Sequence, residues 1–181
     1  MLEGKKINLR PYEKEDVPLF AKWMNDPEFV GQYFLPVMLS LDVFEKSFSE
    51  PSPDGARFVI ETKDGQSAGY ISHFKVDVGG GVTWTEIAYG LAPEHRRKGY
   101  CTEAIALMVD YLFLSKEIER VQAMVMEENI GSKLALEKNG FTKEGVLRRL
   151  AFFVGRYWDI TVYSILRSEW KSPKILPYTR K

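Results

Sequence analysis

The apolar segment Glu86-Ile-Ala-Tyr-Gly-Leu91 passes through Pro93 into the basic turn His95-Arg-Arg-Lys-Gly99. A run follows in which Ala104, Leu107, Met108, Tyr111 and Leu112 recur at helical spacing. A strand, a turn carrying three adjacent cations and a glycine, and a helix suit the binding of a pyrophosphate. Gly99 lets the backbone come close to an anion. The first unpaired N–H groups of the helix point at it, and the helix dipole favours negative charge there. The same turn also reads as a plain solvated connection, and its physics alone leaves both readings open.

Around this centre the elements are legible from periodicity. Ile7 and Leu9 alternate with Asn8 and Arg10 in a strand that Pro11 ends, and Asp16 is placed to cap a helix bearing Leu19, Phe20 and Trp23. Asn25-Asp26-Pro27 punctuates that helix. Ser40 to Phe48 reads as a second helix with Leu41, Phe44 and Phe48 on one face, and Pro51-Ser-Pro53-Asp-Gly55 as a loop. Arg57 to Glu61 and Gln66 to Val76 form a hairpin through Lys63-Asp64-Gly65, and Gly79-Gly80-Gly81 connects it to the strand ending at Leu91. Val121, Ala123 and Val125 mark another strand. Ser132 to Asn139 is a helix closed by Gly140, and Thr142 to Phe153 with Trp158 to Leu166 a final hairpin around Gly155. Runs of strands followed by alternation argue for a mixed α+β sheet.

The 25 basic and 25 acidic residues cancel, so the global positive field of a general nucleic-acid binder is absent and the cations at 96–98 are a local feature. One cysteine allows no internal disulfide and fits a reducing compartment. The first residues lack an apolar core of signal-peptide length, and the run from Ile105 to Leu114 is broken by Asp110 and too short to span a bilayer. The expectation is a soluble cytoplasmic protein with neither nucleic acid nor membrane as partner. It comprises one domain over residues 1–171 and a tail over 172–181.

Three stretches carry a family resemblance. Arg96-x-x-Gly99-x-Cys101, continued by Thr-Glu-Ala, resembles the acetyl-CoA loop of the GNAT superfamily of N-acetyltransferases. More narrowly, it looks like the branch that modifies ribosomal-protein N-termini. Asn129-Ile-Gly-Ser132 through Glu137-Lys138-Asn-Gly140-Phe141 is similar to a second family segment, and Gly155-Arg156-Tyr-Trp-Asp159 through Tyr163 to the closing motif of the ribosomal-type branch. The resemblance implies a mixed, mostly antiparallel central sheet flanked by helices. Two parallel strands, Glu86 to Leu91 and Val121 to Met126, splay to admit the pantetheine arm. It implies acetyl-CoA as cosubstrate and no metal. The cofactor would be held by Ala88, Gly90 and Leu91, by the loop Arg96, Arg97, Lys98, Gly99, Tyr100, Cys101 and Thr102, and by Asn129 and Ser132. The acceptor would be a primary amine, on a protein N-terminus or a small molecule, attacking directly within a ternary complex. The protein would be a monomer or homodimer.

For the chemistry, Glu86 is the candidate base, at a position where relatives carry a proton-accepting glutamate. The alternative is a carboxylate on a solvated sheet face. Many relatives place a thiolate-protonating tyrosine where this chain has Leu136, which has no proton to give. Ser132, one turn earlier on the same face, is the substitute donor or else a helix cap. His95 is read as an exposed bystander, and His73 as a core or surface residue with the acceptor pocket as an alternative. Cys101 fills a small position, although a helix N-terminus can activate a thiol. Among Trp23, Phe29, Tyr33, Phe34, Phe44 and Phe48 most rings belong to the core, and one or two line the acceptor side. Asp26, Glu28 or Asp42 would attract a cationic amine there. A different class is a non-catalytic acyl-CoA-binding regulatory module, which would need neither Glu86 nor Ser132. A generic nucleotide-phosphate binder would show a Walker lysine or a Rossmann glycine triplet, and neither is present.

Overall fold

Alternating burial makes Ile7-Asn-Leu-Arg10 a strand, with Ile7 and Leu9 inward, and Pro11 ends it for want of an N–H. In the computed structural model, which describes residues 1–48 and 54–174, a two-residue strand β1 (Leu2–Glu3) pairs antiparallel with this β2 (Ile7–Pro11). Three short helices follow: α1 (Val17–Asn25), α2 (Pro27–Val30) and α3 (Leu41–Phe48). Asp16 stands before α1 but does not cap it. Its carboxylate accepts the Glu13 N–H and a two-pronged contact from Arg10 at 2.8 and 2.9 Å, so it ties β2 to the helix start instead. Asp26 caps α2 by accepting the Glu28 N–H at 2.9 Å, with Pro27 in the first helical position. The side chain of Phe48 and the loop read over Pro51 to Pro53 lie outside the described residues.

The remaining elements are β3 (Gly55–Thr62), β4 (Ser67–Asp77), β5 (Thr83–Leu91), α4 (Tyr100–Ser115), β6 (Arg120–Met126), α5 (Ile130–Lys138), β7 (Thr142–Phe153) and β8 (Arg156–Leu166). The strands form one eight-stranded sheet in the order β1-β2-β3-β4-β5-β6-β8-β7. Every neighbouring pair is antiparallel except β5 and β6, which are parallel. This is the α+β arrangement expected, with β1 and the four-residue α2 as additions.

One face of the sheet carries the main core. Ile105, Leu107, Met108 and Leu112 of α4 are fully buried against Ile7, Leu9, Ile60, Ile71 and Val121. Burial on α4 is nearly all round, because α5 and the C-terminal segment cover its outer side. Buried Asp110 accepts the Trp170 indole N–H and the Lys174 backbone N–H, each at 2.9 Å. Asn139 bridges α5 to α4 by donating to the carbonyls of Ala135 and Thr102. Lys174 Nζ returns to the Asn139 carbonyl at 2.9 Å, so the chain remains packed on the domain beyond Lys171. On the opposite face α1, α2 and α3 bury Phe20, Trp23, Phe29 and Phe44 over Tyr70 of β4. No helix among the described residues is long and apolar enough to cross a membrane.

Candidate active site

β5 and β6 are paired only at Thr85–Val121 and Glu86–Gln122. Beyond Glu86 they part. β5 stays in register with β4 as far as Leu91, and β6 with β8 as far as Met126. A gap therefore opens within the sheet, and the β5 backbone that faces it beyond Glu86 has no strand to bond.

Glu86 stands at the mouth of this gap on the face opposite α4. Its Oε2 accepts the Trp84 indole N–H at 3.1 Å and the Gln122 amide at 3.5 Å, which leaves Oε1 to take a proton. Gln122 is buried and accepts from Arg120 Nε at 3.3 Å. Arg120 pairs with Glu144 at 3.0 Å, and Glu144 accepts the Ser164 hydroxyl. A half-buried carboxylate at the end of such a chain is held in place, unlike one on a freely solvated face.

The loop before α4 has alternating handedness. Arg97 (φ 62°) and Gly99 (φ 84°) are left-handed on either side of Lys98, a sequence of conformations that turns successive N–H groups to one side as an anion nest. The Glu103 N–H is bonded to the Gly99 carbonyl, so the first N–H groups of α4 lie ahead of it without intrahelical acceptors. Glu103 itself accepts the N–H groups of Lys5 and Lys6, docking the β1–β2 turn on the helix start. Lys6 Nζ then bonds the Lys98 carbonyl at 3.1 Å, adding a cation to the loop that nothing in the sequence spacing marks. Arg97 and Lys98 are exposed. Arg96 departs from its expected part. Its guanidinium donates to the carbonyls of Leu91 (3.0 Å), Glu28 (2.8 Å) and Phe29 (2.6 Å), and its own N–H to Pro93. It pins α2 to the loop, and its charge is engaged there.

Asn129 is the N-cap of α5, accepting the Ser132 N–H at 3.1 Å. Ser132 is thus not the cap. Its hydroxyl forms a 2.7 Å hydrogen bond with the hydroxyl of Tyr89, across the gap from β5 to α5. Tyr89 was not among the residues expected at the site, because only the fold brings together two groups so distant in sequence. Burial, with Cys101 next, raises the Tyr89 phenol well above its usual range, so it stays protonated near neutrality. Leu136 is fully buried in the main core.

Burial likewise pushes the Cys101 thiol up to about 12. The half-buried Cys101 thiol therefore stays protonated near neutrality. Native protein should react with an aromatic disulfide reagent far more slowly than unfolded protein, and equal rates would contradict this burial.

The histidines separate from the site. His95 is buried, not exposed: a turn of 3-10 helix at Pro93–His95 folds its ring inward, 6.2 Å from that of Tyr100. His73 lies opposite Ile87 on the face that α4 covers, 6.1 Å from the Tyr111 ring, away from Glu86. Burial, and secondarily Lys116, lowers its imidazole from 6.5 to about 4. Unfolded His73 takes its proton below about 6.5, and folded His73 only near 4. The unfolded state binds more protons across that window, so stability should fall as pH falls through it. His73→Phe should flatten the decline in melting temperature between about pH 7 and about pH 4.5; an unchanged decline would mean that the imidazole titrates normally.

On the acceptor side, Trp23 stacks on Phe29 at 5.1 Å, and both are core with Phe44. Tyr33 and Phe34 reach across to the far half of the sheet. Tyr33 donates to the Glu128 carbonyl at 3.0 Å, and the Phe34 ring lies parallel to Phe153 at 6.3 Å. Asp26 is used as a cap, while Glu28 and Asp42 are exposed.

The comparisons agree with this geometry. Residues 6–142 match the model of the acetyltransferase (GNAT) domain. An uncharacterized N-acetyltransferase, p20 of Bacillus licheniformis, is 31% identical over 177 residues, covering 93% of this chain and 97% of its own. The spermidine N(1)-acetyltransferase of Vibrio cholerae is 26% identical, over 91% and 95% of the two chains. A crystal structure of spermidine N-acetyltransferase from Vibrio cholerae with CoA and spermine superposes with a TM-score of 0.81 at 24% identity, over 92% and 99% of the chains, and so shares the fold. A parted parallel strand pair beside a helix N-terminus, on a chain matched over most of its length, places the protein: it belongs to the GNAT acetyltransferase family, as an acetyl-CoA-dependent N-acetyltransferase.

Proposed function

We propose that this chain acetylates a primary amine of a small polyamine-like molecule, and that the gap between β5 and β6 is where the transfer occurs. The observation that carries this reading is the parting of the two strands at Glu86, with a carboxylate at its mouth and a nest of N–H donors at the α4 end of β5. The residues fit acetyl-CoA. The N–H groups from Arg97 through Thr102, with the cations of Lys6, Arg97 and Lys98, would hold its phosphates. Of Ala88, Gly90 and Leu91, Leu91 would present backbone to the pantetheine arm, since the Ala88 and Gly90 carbonyls face β4, and Asn129 and Ser132 lie across the gap. Acetyl-CoA supplies the activated acyl group.

Glu86 takes the proton that the amine loses as its nitrogen attacks, directly or through water. A free N–H of β5 beyond Glu86 polarises the carbonyl oxygen. The small-molecule acceptor is favoured by the similarity to spermidine N(1)-acetyltransferase. The ribosomal-type motif favours a protein N-terminus as the second reading. Arg156 lies 3.4 Å over the Trp158 ring and pairs with Glu128 at 3.3 Å, and Asp159 accepts the Arg149 N–H, so both motif residues have structural partners within the chain. The test is thiol release from acetyl-CoA across polyamines, amino sugars and peptide N-termini. Saturable release with a polyamine is the expected result. Release only with peptides would support the second reading, and acetyl-CoA binding without release from any amine would make the chain a regulatory module.

A further inference from the structure

Tyr89 and Ser132 form the one side-chain hydroxyl pair bridging β5 and α5 among the described residues. Glu86 and Tyr89 project from opposite faces of β5, since residues three apart along a strand alternate sides. Glu86 meets Trp84 and Gln122 on one face, and Tyr89 packs with the α4-side core on the other. An acyl group lying in the gap would therefore have the base on one side and the hydroxyl pair on the other.

We propose that Tyr89 is a positioning residue for the leaving group: its phenol donates to Ser132 Oγ and so leaves the serine proton free to bond the departing sulfur. The proposal rests on the acetyl-transfer reading above. The geometry admits either hydroxyl as donor, and the proposal assigns the donation to the phenol. Its burial keeps it protonated, so the donation persists through neutral pH. Asn129 holds the Ser132 backbone by accepting its N–H, and the Tyr89 hydroxyl holds the serine Oγ.

The chemistry balances without ionising either hydroxyl. The amine lone pair forms the C–N bond, the C–S bond breaks with its electron pair on sulfur, and the amine proton passes to Glu86. The thiolate is met by the Ser132 O–H as a hydrogen bond and takes up the proton that Glu86 releases through water. Leu136, fully buried in the main core, offers no proton from the same helix. A charge-assisted hydrogen bond of this kind corresponds to a rate effect of roughly 10- to 100-fold when it is made only as charge develops.

The test is a double-mutant cycle on steady-state thiol release, with the full chain and the best amine of the panel. Tyr89→Phe and Ser132→Ala should each lower kcat by roughly 10-fold or more while the KM for acetyl-CoA and its protection against thermal unfolding stay near wild type. The double variant should lose no more than Ser132→Ala alone, because without the serine hydroxyl Tyr89 has nothing left to position. Ser132→Ala leaves the Tyr89 ring packing untouched, so it reports even where the Tyr89 variant melts early. Wild-type kcat in Tyr89→Phe, or losses that multiply in the double variant, would overturn the proposal while leaving the acetyl-transfer reading intact. A wild-type protein that releases no thiol above the amine-free background with any amine of the panel would overturn both.

Discussion

Gly99→Val removes the rise in melting temperature that acetyl-CoA gives the wild-type protein. A ligand that binds only the folded state stabilises it by mass action, about 2.7 kcal/mol at one hundred times Kd. Gly99 sits at φ 84°, between the nest and the first turn of α4, where an L side chain is strained. A Cβ there would lie 3.1 Å from Lys6 Nζ, the flexible end of a side chain that can yield. The branched valine must either distort the alternating backbone or cover the N–H groups an anion would meet. Its intrinsic melting temperature should also fall, since such a conformation costs roughly 1–3 kcal/mol. The two effects are separable by scanning with and without ligand. A variant that keeps the full acetyl-CoA shift would show that the phosphates bind elsewhere.

Glu86→Gln should lower turnover by roughly 10²–10⁴-fold with acetyl-CoA affinity unchanged. The amide oxygen can still accept from Trp84 and Gln122, so the polar chain across β5, β6 and β7 survives and only proton uptake is lost. A smaller loss that high pH fully rescues would mean that solvent deprotonates the amine. Unchanged turnover at every pH would remove Glu86 from the mechanism and leave it as a structural carboxylate.

The central strand–turn–helix was legible because three local signals coincide: an apolar strand, a glycine in a basic turn and a helical apolar stripe. The order of the other elements followed from periodicity, apart from β1, whose two residues are too few to show any, and α2, whose four residues open an aromatic stretch with no clean period. Polar roles were less legible, because they depend on partners distant in sequence. Arg96 looks like a phosphate ligand within its loop but meets carbonyls of α2. Asp16 has the spacing of a cap, yet Arg10 claims it. His95 stands in a run of charges, and a turn of 3-10 helix carries it inward. Lys6 and Tyr89 join the site only through the docking of β1–β2 on α4 and the divergence of β5 from β6.

A crystal structure of the protein with CoA and a bound amine tests the central claim most directly. The account predicts the pyrophosphate on the N–H groups between Arg97 and Thr102, and the pantetheine arm in the gap beyond Glu86. The sulfur should lie within hydrogen-bond distance of Ser132 Oγ, and the amine nitrogen on the Glu86 side. CoA bound away from the gap, or an amine on the α4 face of the sheet, would contradict it.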